Sequence, residues 1–125
     1  MNRDVNLSAL RPTIPTAEAI GLLESFQNQT LRPILKLQND VVVLVFRHYA
    51  KKRKDEFYKQ SPKEKLAYIE QAIKRDMKFK HYVTGLIVGH FTKEEFDVFY
   101  QNEEENTKRL INLLIQRLQS QVEAL

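Results

Sequence analysis

The chain has 125 residues, no cysteine and a formal net charge of +4 at pH 7. The absence of cysteine excludes disulfides, thiolate metal sites and a cysteine nucleophile. The N-terminus lacks the apolar core of a signal peptide, and no segment reaches the roughly 18 apolar residues of a membrane span. Three glycines and four prolines are too few for the turns of an all-β domain, whereas good helix formers dominate. We therefore expect a soluble, cytoplasmic, all-α protein, a compact bundle of four to five helices with no cofactor and no membrane partner.

The first sixteen residues are predicted to form an extended N-terminal arm, because Pro12 and Pro15 oppose helix formation there. A single helical domain is predicted to follow over residues 17–125. Thr16 is expected to cap a short helix at its start, although Gly21 inside that helix would cost about 1 kcal/mol relative to alanine.

Residues 30–54 are predicted to form the central helix. Apolar side chains recur at 3- and 4-residue spacings from Leu31 to Tyr49, and Pro33 falls in the first turn, where its missing N–H costs nothing. If the helix begins further upstream, Pro33 is expected to bend it. The run VVVLVF at 41–46 is apolar on every side, which predicts burial on most sides. We reject a strand for this run because the sequence offers no partner strand.

Four further helix starts can be recognised. Ser61-Pro62-Lys63-Glu64 and Thr92-Lys93-Glu94-Glu95 are capping boxes, and Asp76 is predicted to cap a helix that runs to about His90. The acidic triplet 103–105 suits the positive N-terminal end of a last helix. That helix carries a predicted packing seam with spacings of 4, 3, 4 and 3, formed by Ile111, Ile115, Leu118, Val122 and Leu125.

No catalytic or metal-binding motif stands out. The three histidines show no i, i+4 pair and no H-E-x-x-H pattern, so no metal site is predicted. Asn39 and Asp40 directly precede the apolar run, where a buried carboxylate needs a partner or shifts its pKa. They are therefore a candidate polar cluster with His48 and His81, and the alternative is a helix-to-helix hydrogen bond or an exposed stripe.

The charge is concentrated in the middle of the chain. Residues 47–80 hold twelve basic and five acidic residues, whereas residues 91–125 hold four basic and seven acidic residues. This polarity favours an anionic partner or head-to-tail self-association. Aromatic residues interleave with the basic ones, as RNA or DNA binding requires. The candidate basic face comprises Arg47, Lys51, Lys52, Arg53, Lys54, Lys74, Arg75, Lys78 and Lys80.

Self-association is the function that the sequence favours. Gly85 and Gly89 stand four apart and are predicted to let two helices pack closely, within the fold or across a dimer. The stripe on the last helix, the apolar run at 41–46 and the arm all offer surface to bury across an interface. We therefore expect a non-enzymatic protein–protein interaction module, a homo-oligomer such as a dimer, with nucleic-acid binding through the basic face as the alternative.

Four strings in the chain resemble a family of small uncharacterised helical proteins of Bacteroidetes-type bacteria. They are LRP with IPT at 10–16, FQNQTLRPILKLQND at 26–40, GLIVGHFTKEEF at 85–96 and RLQSQ at 117–121. The resemblance implies a bacterial cytoplasmic protein with no catalytic residues to transfer. Some members carry the label "glyoxalase", so the resemblance adds an enzyme as a third alternative.

Overall fold

The computed structural model describes residues 2–15 and 18–125. Within these ranges every regular element is helical, which confirms the all-α prediction, but the helices outnumber the predicted four to five. None of the described helices is both long and apolar enough to cross a membrane. The α-helices are α1 (Arg3–Leu10), α2 (Leu22–Phe26), α3 (Arg32–Leu37), α4 (Asn39–Lys52), α5 (Pro62–Arg75), α6 (Met77–Val88), α7 (Lys93–Gln101) and α8 (Glu103–Ser120), with a π-helical turn (Gln27–Leu31) and two 3-10 turns (Glu56–Lys59 and Val122–Ala124).

The N-terminal arm is helical over α1, so the prediction of an extended arm over residues 1–16 is wrong for this part. Asn2 caps the helix, because its side chain accepts a hydrogen bond from the Val5 N–H at 3.2 Å. Pro12 and Pro15 lie beyond the last helical residue, where they keep the chain non-helical without preventing the helix before them. The predicted cap Thr16 lies outside the described residues. The predicted helix around Gly21 starts only after this glycine, whose φ of 87° allows the turn into α2.

The predicted central helix over residues 30–54 begins earlier than expected and is interrupted twice. The helical backbone of this central segment starts with α2, and its π-helical turn ends two residues before Pro33. A proline inside a helix lacks the N–H and crowds the carbonyl four residues earlier, and a π turn relieves both problems. The second interruption is Gln38, with φ −91° and ψ 5°, whose side chain donates to the Leu86 carbonyl at 3.1 Å. The helical segment therefore starts upstream of Pro33 with a π-helical turn before it, and the bend expected for that case stays a prediction.

The predicted helix starts at Ser61, Asp76 and Thr92 are confirmed. Ser61 and Thr92 both complete capping boxes, with Glu64 and Glu95 as the reciprocal partners. Asp76 caps α6, because its side chain accepts from the Phe79 N–H at 3.1 Å. Short-range hydrogen bonding thus places the ends of α5, α6 and α7 where the sequence predicts them.

The core is built around α8, which packs against α5, α6 and α7. Much of the predicted seam is buried within the chain, at Ile111, Ile115 and Leu118. The helix ends at Ser120, so the last two seam positions lie outside it. The stripe on α8 is therefore occupied by intramolecular packing and leaves little surface for a second copy.

The apolar run at 41–46, which is predicted to be buried on most sides, is exposed at two of its six residues. Val42, Val43 and Phe46 enter the core, whereas Val41 is 39% and Leu44 60% exposed. α4 packs against α6 and lies at the surface of the bundle. The exposed side of α4 forms one wall of the groove described below.

Candidate functional site

A groove of about 440 Å³ lies between α4 and α6. α4 contributes residues one turn apart, and α6 contributes residues from its first two turns together with its cap. We call this site the α4–α6 groove. It is lined by Leu44, Val45, His48, Tyr49, Lys52, Arg53, Asp76, Lys78, Phe79 and Tyr82.

The floor of the groove is aromatic and anchored in the core. The ring of Tyr49 lies 4.0 Å from that of Phe79, centroid to centroid, at an interplanar angle of 35°. Both rings contact the fully buried Phe46, with centroid distances of 6.3 and 6.4 Å. Because the rings pack on one another and on the core, the floor is a pre-formed apolar surface.

Asp76 joins α4 and α6 by hydrogen bonds at one end of the groove. It caps α6 through the Phe79 N–H, and its other carboxylate oxygen accepts from the Tyr49 hydroxyl at 3.0 Å and from Arg53 at 2.9 Å. The Arg53 guanidinium also lies 3.5 Å from the centre of the Tyr49 ring, a cation–π contact. These contacts fix the spacing of α4 and α6 at this end of the groove.

The same contacts set the protonation states of Asp76 and Tyr49. The backbone hydrogen bond from Phe79, aided by Tyr49 and Arg53, holds the pKa of Asp76 below its usual value. Burial, followed by the hydrogen bond to Asp76, raises the pKa of Tyr49 to about 12. At neutral pH the carboxylate is therefore ionised and the phenol neutral, which suits a structural contact and makes neither group ready to exchange a proton.

The mouth of the groove combines apolar and cationic side chains. Leu44 is 60% and Tyr82 59% exposed, and both line the groove. Lys52 and Lys78 are also exposed, and among the described residues neither forms an ion pair. The groove thus presents two apolar side chains and two available cations to an approaching molecule.

Only part of the predicted basic face reaches the groove. Lys52, Arg53 and Lys78 line it, and Arg53 is already paired with Asp76. The other six predicted cations lie outside the lining: Arg47, which donates to the Ala124 carbonyl, Lys74, which pairs with Glu70, and Lys51, Lys54, Arg75 and Lys80.

The structure separates the predicted polar cluster into different environments. Asn39 is half-buried and accepts from Gln121 at 2.7 Å and from Arg117 at 3.3 Å, the helix-to-helix alternative. Asp40 and His81 are exposed, and only His48 lines the groove. No hydrogen bond among the described residues joins the four, and no group of three or more metal-binding side chains occurs in this part of the chain.

The close packing predicted at the glycines does not occur within the described part of the fold, and close packing across a dimer stays a prediction. A Cβ built on Gly85 would meet no atom within 4 Å, and one on Gly89 would meet only the Gly85 carbonyl, at 3.1 Å. Both residues are exposed. Their side of α6 is not covered by another helix, so the four-residue spacing has no packing role in this fold.

Leu44 and Tyr82 are the groove residues that the sequence reasoning missed. Tyr82 stands four residues from Lys78 on α6, and Leu44 stands eight residues, about two helical turns, from Lys52 on α4, with His48 midway between them. Residues four apart lie on one helix face. This i, i+4 pattern of apolar and cationic residues was available in the sequence, but the pairing of α4 with α6 was not.

A second, larger space of about 900 Å³ lies between α1, α2 and α7. Glu95 in its lining is already engaged, since it accepts from Arg11 at 2.6 and 2.7 Å and from the Thr30 hydroxyl at 3.1 Å. Burial raises the pKa of Glu95, but the bonds from Arg11, Thr92 and Thr30 outweigh it and hold the pKa below its usual value. This site fastens α1 to the bundle, and the α4–α6 groove is the better candidate for binding.

Comparisons with protein-family models, with curated proteins and with solved structures found no match to this chain. The resemblance described under Sequence analysis therefore stays a prediction. The groove is interpreted from its own geometry.

Proposed function

We propose that this chain is a helical protein–protein interaction module that binds an acidic, amphipathic segment of its partner in the α4–α6 groove. The observation that supports this most is the exposure of Leu44 and Tyr82 at the mouth of an aromatic floor, flanked by Lys52 and Lys78. An amphipathic helix binds such a groove with its apolar face down. Its carboxylates then lie beside the rim lysines, which assists encounter and orientation.

Two features favour a protein partner over a nucleic acid. Asp76 places a carboxylate in the lining, and Arg53 is neutralised by it. Half of the lining residues are apolar or aromatic, which matches apolar side chains better than a phosphate backbone. Six of the nine cations of the predicted basic face also lie outside the groove lining.

Nucleic-acid binding is the second candidate because Tyr82 is exposed one helical turn from Lys78. An exposed ring beside a cation is the combination that stacks on a base and pairs with its phosphate. Enzymatic activity of the kind the resemblance implies stays a prediction without residues to support it.

The test uses a fluorescent helical peptide with glutamates on one face and leucines on the other. We expect it to bind the wild-type chain, and we expect binding to weaken about tenfold in the Lys52→Glu/Lys78→Glu variant, because like charges then meet at the rim. Leu44→Ser should weaken binding as well. The measurement is fluorescence anisotropy, with a lysine-bearing version of the peptide and a single-stranded oligonucleotide as competing probes.

Two matched controls separate the groove from general surface effects. Leu10→Ser changes a leucine on α1 that is 59% exposed, close to the 60% of Leu44, and Lys36→Glu reverses an exposed charge on α3. Both should bind like the wild type. The proposal is wrong if the controls lose as much affinity as the groove variants. Oligonucleotide binding that survives about 0.2 M salt and depends on Lys52 and Lys78 would favour the second candidate instead.

A further inference from the structure

An acidic segment extends from the first turn of α7 to the first turn of α8. Residues 94–105 hold six acidic residues and no basic one. Glu95 is used internally by Arg11, and the others are exposed. We call the exposed group the acidic corner: Glu94, Asp97, Glu103, Glu104 and Glu105, with Tyr100.

Tyr100 is the exposed aromatic residue of the acidic corner. Its side chain is 57% exposed, and its ring is supported by Phe96 at 6.0 Å and Phe99 at 5.8 Å between centroids. A supported, exposed tyrosine is a typical interface anchor, because it offers a large contact area with little loss of side-chain freedom. The corner therefore has the composition that the groove requires of its partner, several carboxylates and one exposed aromatic residue.

We infer that the partner of the α4–α6 groove is a second copy of this chain, whose acidic corner places Tyr100 on the groove and Glu103 and Glu104 beside Lys52 and Lys78. This inference rests on the proposed function and names its partner. Charge complementarity supports it: the groove is lined by Lys52, Arg53 and Lys78 against the single carboxylate of Asp76, and residues 94–105 hold six acidic residues and no basic one.

Within the described residues, the lysines of the groove and most carboxylates of the acidic corner have no partner of opposite charge. No ion pair in the described residues joins Lys52 or Lys78 to any glutamate, and the only ion pair of the triplet is Glu105 with Lys108, at 3.8 Å. No residue of the acidic corner lines the groove.

The contact joins two different surfaces of the chain. If a two-fold axis repeats it reciprocally, the interface is isologous and closes a dimer; without such an axis it is heterologous and extends the assembly into a ring or a filament. Because exposed charges contribute much of the attraction, association should weaken as salt rises.

The experiment measures association by sedimentation velocity at low and high salt. The groove variant is Lys52→Glu/Lys78→Glu, and the corner variant is Glu103→Lys/Glu104→Lys. We expect the wild type to associate at low salt and each variant to lose about tenfold in association constant. An equimolar mixture of the two variants should regain association, because the intact corner of the groove variant meets the intact groove of the corner variant and the two reversed surfaces also carry opposite charges. A second mixture, of neutral variants, tests the same pairing without reversed charges.

In that mixture, Lys52→Ala/Lys78→Ala/Leu44→Ser disables the groove and Tyr100→Ser/Glu103→Gln/Glu104→Gln disables the corner. Each variant alone should be monomeric, and the mixture should form a 1:1 complex, because one intact groove then meets one intact corner. Circular dichroism verifies that each variant is folded, and Tyr100→Ser alone serves as the milder corner variant. Lys36→Glu is the control and should associate like the wild type.

The outcomes distinguish this inference from the proposed function. A wild type that stays monomeric at low salt while the acidic peptide binds the groove overturns the inference and leaves the proposed function standing. Association that persists in both single-surface variants also overturns it. If neither the peptide nor a second copy binds the groove, both proposals are wrong.

Discussion

Asp76 illustrates at the residue scale how one side chain serves two elements. It lies between α5 and α6 and caps α6. Its side chain also accepts hydrogen bonds from Tyr49 in α4 and from Arg53 directly after α4. An aspartate at this position caps α6 because its carboxylate accepts from a backbone N–H of the first turn, and the same carboxylate also binds α4. The groove owes its shape at this end to that double role.

Replacing Asp76 by alanine should lower the free energy of unfolding by about 2 kcal/mol, since it removes a helix cap and leaves the half-buried Tyr49 hydroxyl without its acceptor. Asp76→Asn keeps a capping acceptor and should cost less. Urea denaturation measures both. Asp97→Ala, an exposed aspartate on α7, should change the free energy by less than about 0.5 kcal/mol; equal losses at both positions would contradict the role given to Asp76.

The pH dependence of this contact follows from the direction in which folding shifts the pKa of Asp76. The pKa of Asp76 is lowered in the folded state, so between the folded and unfolded pKa values the unfolded chain binds more protons. The stabilisation is present above the ordinary aspartate pKa of about 3.9 and is lost as the pH falls through the lowered value. The difference between wild type and Asp76→Asn should shrink accordingly in acid.

His90 is a second residue with a pH-dependent role. Burial, and then the nearby charges of Arg11 and Arg3, hold its pKa below the usual value, and its Nδ1 is buried without a hydrogen-bond partner. The unfolded histidine takes up a proton first as the pH falls. The free energy of unfolding therefore decreases from the ordinary pKa of about 6.5 towards the lowered value.

Replacing His90 by glutamine should flatten the change in unfolding free energy between about pH 7 and pH 5.5, because the titrating group is removed. Urea denaturation at a series of pH values provides the measurement. His81→Gln, at an exposed position on α6, is the control and should keep the wild-type slope. An unchanged slope in His90→Gln would show that other groups cause the dependence.

At the scale of elements, α1 is held by polar contacts instead of by apolar burial. None of its residues is buried. Arg3 donates to the Gly89 and Phe91 carbonyls at 2.8 Å, and Arg11 donates to the His90 carbonyl at 2.8 Å and to Glu95. The two arginines thus bind three consecutive carbonyls just beyond α6, where the negative end of the helix dipole favours cations.

Replacing Arg11 by methionine should release α1, because hydrogen bonds to a charged group of this kind contribute about 2 kcal/mol. Hydrogen exchange of the α1 amides should accelerate about thirtyfold while the amides of α8 stay protected. Arg75→Met, which removes an exposed cation from α5, should change neither. Equal acceleration in α1 and α8 would indicate global destabilisation instead of local release.

The central segment shows the difference between local and tertiary information at the same scale. Pro33 makes a distortion predictable if helix precedes it, but whether helix precedes it depends on packing around Phe26 and Leu31, both buried. Likewise Gln38 breaks the helix while its side chain binds a carbonyl 48 residues away. A pattern read within ten or fifteen residues does not contain that partner.

At the scale of the whole molecule, the proposed module presents a cationic groove and an acidic corner on one chain. Intramolecular packing covers the apolar stripe of α8. The proposed partner surface therefore lies on α4 and α6 and not on the last helix. Exposed charges are screened at a Debye length of about 8 Å in physiological salt. The binding of the acidic peptide and self-association should therefore show similar salt sensitivity.

By itself, the sequence determined the helical class and the starts at Ser61, Asp76 and Thr92, because capping depends on side chains within three residues of the helix end. It also determined the charge polarity that the proposed interaction uses. Only the tertiary structure decided that Arg11 meets Glu95, 84 residues away, and that Lys52 and Lys78 share a groove with Leu44 and Tyr82. Those outcomes depend on which helices cover which faces, and long-range packing sets that arrangement.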